Sequence, residues 1–265
     1  MSGPTMSNPT RVVAVANQKG GTGKSTLAVN LAAAMGESGT RALVVDIDPQ
    51  TDATTMLGVD PDEQPRTLYD VFVGACELPD AIVHDVVPGV DLVVGSERMA
   101  DVELTLASEL MRERYLADAL AGHLGEYALV LIDCPPNLGL LTVNAFCAAP
   151  EVLVVVSMTD RNAYRGAMAL YSTVNKLRRK GVDVAVTGII RNNVDDRRST
   201  YQLLNDALTT AELPVLKTEV PMRAGFQNAV TAGVPLVLFS PDHVGAYAIR
   251  KVADELMSEA QQQAA

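Results

Sequence analysis

Short β-branched runs alternate along this chain with longer stretches of helical periodicity. The runs are Val12–Ala16, Ala42–Ile47, Val90–Val94, Ala128–Asp133, Val152–Ser157, Val184–Ile190, Leu216–Val220 and a short Leu236–Leu238. Several are apolar at every position, the pattern of strands covered on both faces. Helical periodicity occupies 24–38, 100–123, 139–148, 163–180, 199–211, 225–232 and 243–261. This alternation predicts an α/β fold, a mostly parallel twisted sheet of about 7–8 strands with helices on both faces. No internal repeat, heptad array or Pro/Gly/Ser-rich linker divides the chain. A single domain over 11–258 is therefore expected, flanked by a flexible polar tail at 1–10 and a fraying tail at 259–265.

Composition narrows the function classes. At 48% hydrophobic and 20% charged, the 265 residues bury a large core. Aromatics are 4% with no Trp, which disfavours base-stacking platforms for single-stranded nucleic acid. The longest aliphatic stretches, Ala128–Ile132 and Val152–Val156, fall far short of the roughly 20 residues that span a bilayer. The opening residues lack a basic stretch followed by an apolar one, and Cys76, Cys134 and Cys147 show no CxxC spacing, so a cytoplasmic protein is expected. The net charge of −11 hides an asymmetry. Residues 1–160 hold 8 Lys+Arg against 22 Asp+Glu, whereas 161–265 hold 13 against 10. That distribution suggests a polyanion-binding face on an acidic body, or a solvated helix end and loop.

The clearest chemistry follows the first strand. Asn17-Gln18-Lys19-Gly20-Gly21-Thr22-Gly23-Lys24-Ser25-Thr26 opens directly into an apolar helix. Glycines let consecutive N–H groups turn inward onto phosphate oxygens, and the helix presents its positive end to the same anion. Lys24 suits the β- and γ-phosphates and the Ser25 hydroxyl suits Mg²⁺. The pattern G-x-x-x-x-G-K-[ST] is met except at Gln18, which replaces the first Gly, and Lys19 adds a second lysine. Nucleotide binding is the inference, on a single-domain P-loop NTPase fold.

K-G-G-T-G-K-S-T resembles the deviant Walker A loop of the ParA/MinD superfamily of P-loop ATPases. The resemblance implies that ATP closes a homodimer in which Lys19 reaches the partner's phosphates, and that hydrolysis loosens it. Asp46 and Asp48 end the second strand two residues apart, on the same side. Their run, V-D-I-D-P-Q-T-D-A-T, is similar to the family's D-x-D-P-Q motif, which implies that Asp48 orients the attacking water and Asp46 supports the Mg²⁺ shell. Leu129-Val130-Leu131-Ile132-Asp133 reads as a Walker B strand, with Asp133 holding Mg²⁺ through water or the Ser25 hydroxyl. Asn192 sits where relatives place a polar side chain against adenine, though an Asn-Asn pair also forms turns. Val220-Pro221-Met222-Arg223 resembles the family's loop near the base, which implies nucleotide contacts for Pro221 and Arg223. The cofactor set implied is ATP and Mg²⁺.

The match fades toward the C-terminus. Ser157–Gly166 and Pro221–Gly233 depart from the family's patterns, and of the basic residues in the second segment only Arg223 remains. Candidate DNA contacts are Arg178, Arg179, Lys180, Arg197, Arg198, Arg223, Arg250 and Lys251. Phosphate contacts of this kind carry no sequence readout, so binding to double-stranded DNA is expected to be non-specific. The expected function is DNA partitioning by a nucleoid-associated ATPase, released when a ParB-like adaptor stimulates hydrolysis. ParA-like positioning of a non-DNA cargo is an alternative. A MinD-like membrane switch is disfavoured by the acidic ending E-L-M-S-E-A-Q-Q-Q-A-A, which an anionic membrane repels. A metal-cluster reductase lacks suitably placed cysteines, and no acceptor motif supports a small-molecule kinase.

Overall fold

The computed structural model describes residues 10–211 and 213–263. All but Thr10 of the expected N-terminal tail lies outside the described residues, and helical backbone runs on to Gln263 through most of the segment expected to fray. The elements follow in the order β1 (Arg11–Ala16), α1 (Lys24–Glu37), β2 (Ala42–Asp46), α2 (Asp52–Met56), α3 (Leu68–Phe72), β3 (Ile82–Val87), β4 (Val90–Val93), α4 (Val102–Thr105), α5 (Tyr115–Leu120) and β5 (Leu129–Asp133). Then come α6 (Leu140–Ala148), β6 (Glu151–Ser157), α7 (Ala163–Arg179), β7 (Ala185–Val194), α8 (Ser199–Thr210), β8 (Val215–Pro221), α9 (Ala224–Ala232), α10 (Leu236–Phe239) and α11 (Val244–Gln263).

Eight strands form one sheet in the order β3-β4-β2-β5-β1-β6-β7-β8. Only β3 runs antiparallel, at the edge beside β4. The strands are apolar throughout because both faces are covered. In β1, Val13 and Val15 pack with Leu27 and Leu31 of α1, while Ala14 and Ala16 face the opposite core with Phe146 of α6 and Leu170 of α7. At the other edge, the Glu255 carboxylate of α11 accepts from the N–H groups of Lys217 (2.6 Å) and Thr218 (3.0 Å), occupying part of the open side of β8.

Three expectations need correction. Leu236–Leu238 is not a strand but the short helix α10, because a three-residue apolar run carries no usable period. The helix expected over 100–123 is broken into α4, a 3₁₀ turn at Arg112–Arg114 and α5. The buried amide of Asn144 holds that break in place, donating to the Arg112 carbonyl (2.9 Å) and accepting from Leu116 N–H (3.1 Å). The antiparallel strand β3 was not expected at all: His84 and Asp85 interrupt its apolar run.

Connections from β1 to β2 and from β5 to β6 lead to opposite sides of β1, so a crevice opens at the carboxyl ends of the central strands. The register places Asp133 beside Asp46 of β2 on one side and Val15 of β1 on the other. The phosphate loop and three acidic candidates thereby arise at one edge of the sheet.

Candidate functional site at the carboxyl edge of the sheet

The loop from Asn17 to Gly23 leaves β1 and curls into α1. Gly21 and Gly23 take left-handed backbone angles (φ +71° and +90°), which glycine adopts without strain. At Gly23 space is also decisive, since a Cβ there would lie 2.3 Å from the Asn192 amide nitrogen. Gly23 caps α1 with no side-chain hydrogen bond, and the first turn holds no acidic residue. The first-turn N–H groups and the helix dipole are thus left for an external anion. Lys24 and Ser25 are buried in the same turn, and Thr22 is buried behind it.

Asp46 and Asp133 are fully buried, side by side in neighbouring strands. Asp46 is committed to the protein: Oδ2 accepts from Thr54 N–H (2.9 Å) and Thr54 Oγ1 (2.7 Å), and Oδ1 accepts from Asp48 N–H (3.3 Å). Burial pushes its carboxyl up to about 7, with Thr54 pulling the other way. Asp133 is different, because neither carboxylate oxygen has a hydrogen-bond partner among the described residues. Burial, reinforced by the Asp46 charge, raises its carboxyl well above the usual range, opposed by the Ser25 hydroxyl and the Lys24 ammonium. A buried carboxylate aimed at nothing in the protein, next to a hydroxyl and an ammonium, fits a divalent cation with phosphate. Ser25 and Asp133 are the better-placed pair of the three candidates for Mg²⁺, and Asp46 instead fixes the loop that carries Asp48.

Asp48 lines the opening. Its Oδ1 accepts from Gln50 N–H (3.0 Å), which fixes its orientation as the chain turns from β2 into α2. A cleft of about 1250 Å³ runs from Gly20, Gly21, Gly23, Lys24, Ser25 and Thr26 past Asp48 to a far wall at Asn192, Met222, Arg223 and Phe226. The Asn192 amide donates to the Thr22 carbonyl (2.7 Å), so this side chain braces the phosphate loop while it lines the cleft. Pro221 is the last residue of β8 and sets the direction of the 222–228 wall without lining it. Cys134 is buried, and burial pushes its thiol well up, so it is a packing residue.

The eight basic candidates fall in three places. Arg178, Arg179 and Lys180 are exposed at the C-terminal end of α7. Arg197 and Arg198 both pair with Asp195 (2.9 and 3.3 Å) and, with Arg223, line the cleft. Arg250 is held by Glu37 (2.9 Å) and by the Pro241 and Val237 carbonyls, a clamp between α11 and α1, with exposed Lys251 beside it. Lys19 does not line the cleft: its ammonium pairs with Asp160 in the turn after β6.

Sequence reasoning missed Thr54 and Asn17. Thr54 is fully buried, donates to Asp46 and accepts from Gly95 N–H (3.0 Å), joining α2, β2 and the turn after β4. Asn17 donates to the Val155 carbonyl (2.6 Å) and accepts from Lys19 N–H (3.2 Å). The available signal was a polar residue closing an apolar strand run.

Residues 10–186 match the AAA domain family. The chain is 35% identical to the chromosome partitioning protein ParA of Caulobacter vibrioides over 95% of both chains. It is 32% identical to the sporulation initiation inhibitor protein Soj of Bacillus subtilis over 93% of this chain and 98% of that one. A solved structure with a TM-score of 0.83 and 35% identity, covering 94% of each chain, is described as cobyrinic acid a,c-diamide synthase from Mycobacterium smegmatis with bound ATP analog and magnesium. With a phosphate loop, an unpartnered strand-end carboxylate and this breadth of similarity, the chain belongs to the ParA/MinD family of P-loop ATPases as a ParA-like member.

Proposed function

We propose that this ParA-family ATPase works in DNA partitioning, with ATP and Mg²⁺ as its ligands and a nucleotide-dependent homodimer as its active form. The observation that carries the reading is the juxtaposition of a glycine-turned helix start without a side-chain cap with the orphaned Asp133 carboxylate. Bound Mg²⁺-ATP supplies the scissile phosphoanhydride. The loop N–H groups and Lys24 bind and orient the phosphates, while Ser25 and Asp133 hold the cation. Asp48, fixed by Gln50 and by the Asp46–Thr54 contacts, orients the attacking water. Lys19 adds a second ammonium to the phosphates of a partner subunit, so its share in neutralising charge in the transition state is supplied only when two chains meet.

In this reading the dimer binds double-stranded DNA non-specifically through exposed basic side chains such as Arg178, Arg179 and Lys180. It resides on the nucleoid in the cytoplasm until a ParB-like adaptor stimulates hydrolysis. The name of the Caulobacter relative, a chromosome partitioning protein, favours this role over a membrane switch. No helix among the described residues is long and apolar enough to cross a membrane. Sedimentation with plasmid DNA or with anionic liposomes, each with and without ATP, tests it. ATP-dependent retention on DNA alone is the expected result, and retention on liposomes alone would transfer the role to a membrane surface. Lys24→Ala should abolish ATP binding, and retained affinity would refute the loop assignment.

A further inference from the structure

Lys19 and Asp160 form an ion pair within one protomer, with side chains 39% and 28% exposed. Both backbones are fixed. Lys19 N–H donates to Asn17 Oδ1, and the Asn17 amide is anchored on Val155 of β6. Asp160 closes the turn between β6 and α7: its N–H donates to the Ser157 carbonyl (3.3 Å), its carbonyl accepts from Ala163 N–H (2.9 Å), and its Oδ1 accepts from Asn162 N–H (2.9 Å). The first turn of α7 lies against the loop, since a Cβ at Gly166 would approach Asn17 Oδ1 to 2.7 Å. With both main chains pinned, the flexible stem of Lys19 is the part free to move.

One ammonium serves either the carboxylate of its own chain or the phosphates of a partner's nucleotide. We propose that Asp160 is a positioning residue that holds Lys19 back in the free protomer and sets the threshold for ATP-dependent dimerisation. This inference rests on the reading of Lys19 as a ligand to the partner's phosphates. The pair is half-exposed, so it is breakable: a phosphate array with its higher charge displaces the carboxylate, and the latch tunes assembly without blocking it. Release of each lysine is expected to weigh on dimer affinity by up to about fivefold, the upper range for such a pair. A dimer that frees two lysines is shifted by up to about 25-fold.

The test is sedimentation velocity of the full chain over a concentration series with Mg²⁺ and a non-hydrolysable ATP analogue. Wild type, Asp160→Asn, Asp160→Glu and Lys19→Ala are compared, with nucleotide affinity of the dilute protomer measured in parallel. Asp160→Asn keeps an acceptor for Asn162 N–H, and thermal unfolding without nucleotide confirms that the turn survives. Its dimerisation should occur at a concentration about 2-fold to 25-fold below that of wild type, with protomer nucleotide affinity unchanged. Asp160→Glu should restore the wild-type threshold. Asp160→Asn dimerising at the wild-type concentration, or more weakly, overturns the latch. If Lys19→Ala dimerises as well as wild type, the reading of Lys19 itself falls. If Lys19→Ala fails to dimerise while Asp160→Asn matches wild type, that reading stands and only the latch is lost.

Discussion

Replacing Asp133 with Asn removes a charge that the fold compensates only through the nearby Ser25 hydroxyl and Lys24 ammonium. Asp133 is fully buried, its two oxygens have no hydrogen-bond partner among the described residues, and Asp46 stands beside it in the next strand. Its folded value is raised by burial first and by the Asp46 charge second. A carboxyl raised in this way keeps a proton that the unfolded chain has already released. Its contribution to stability is therefore complete below about pH 4 and is lost as pH rises toward the folded value. Within that window each pH unit corresponds to about 1.4 kcal/mol. From pH 5 to pH 7 the loss has a ceiling of about 3 kcal/mol, or about 6–8 °C in Tm for a domain of this size.

Asn has nearly the shape of the protonated acid and no charge to develop. In thermal unfolding with EDTA and no nucleotide, wild type and Asp133→Asn should lie close together at about pH 4 and diverge as pH rises, the variant becoming the more stable. The same substitution removes the group proposed to hold Mg²⁺, so ATP hydrolysis should fall to background. A gain in stability with loss of activity is the signature of a residue placed for a ligand. Parallel stability curves, or a variant less stable than wild type at pH 8, would refute the account.

Asp48→Ala should bind ATP and dimerise yet hydrolyse it about 100-fold more slowly, the scale of a lost water-orienting group, and full turnover in a phosphate-release assay would remove its proposed role. Replacing Arg178, Arg179 and Lys180 together by Ala should weaken DNA retention and flatten the slope of log affinity against log salt by up to about 3, with an unchanged slope moving the footprint elsewhere. Thr54→Val should destabilise the fold by about 3 kcal/mol in denaturant titrations, because it strips a hydroxyl from the buried Asp46 carboxylate and leaves Gly95 N–H unpaired, and a neutral effect would show that the contact is dispensable. For Asp91, burial acts to raise the carboxyl, but the Asp85 N–H with Tyr127, His84 and Arg41 outweighs it and the net shift is downward. Its contribution is therefore present above about pH 4 and is lost in acid, so the Tm deficit of Asp91→Asn should be largest near neutrality and shrink as pH falls.

The parts of the site that were legible are those whose meaning is local. A glycine-rich turn between a strand and a helix can be a plain turn, but glycines, lysines and hydroxyls crowded at one such junction point to a phosphate, so Gly20 to Thr26 were readable as a nucleotide loop. An apolar run ending in an acid is ambiguous alone; Asp133 became readable because a phosphate loop precedes it, and Asp46 and Asp48 through the resemblance of their run to the family's D-x-D-P-Q motif. The fold followed from the same economy, since strands such as Val152–Ser157 are apolar on both faces only if helices cover both. The polar hairpin strand β3 and the three-residue run of α10 carry no such period, and both were misjudged.

What stayed hidden depends on contacts across long stretches of chain. Asn17 acquires its role from Val155, Asn192 from Thr22, and Lys19 its present partner from Asp160, and no spacing rule connects those positions. The strand order explains why such pairs accumulate here. Because β1 lies between β5 and β6, the loop that leaves it is bordered by Asp133 at the end of one neighbour and by the Ser157–Asp160 turn at the end of the other. One border meets the loop with an unpartnered carboxylate suited to a cation, the other with a carboxylate that takes up Lys19. On the proposed roles one acid serves the cation of the nucleotide and the other restrains Lys19, so Asp133→Asn is expected to act on metal binding and Asp160→Asn on subunit pairing, from opposite sides of the same strand.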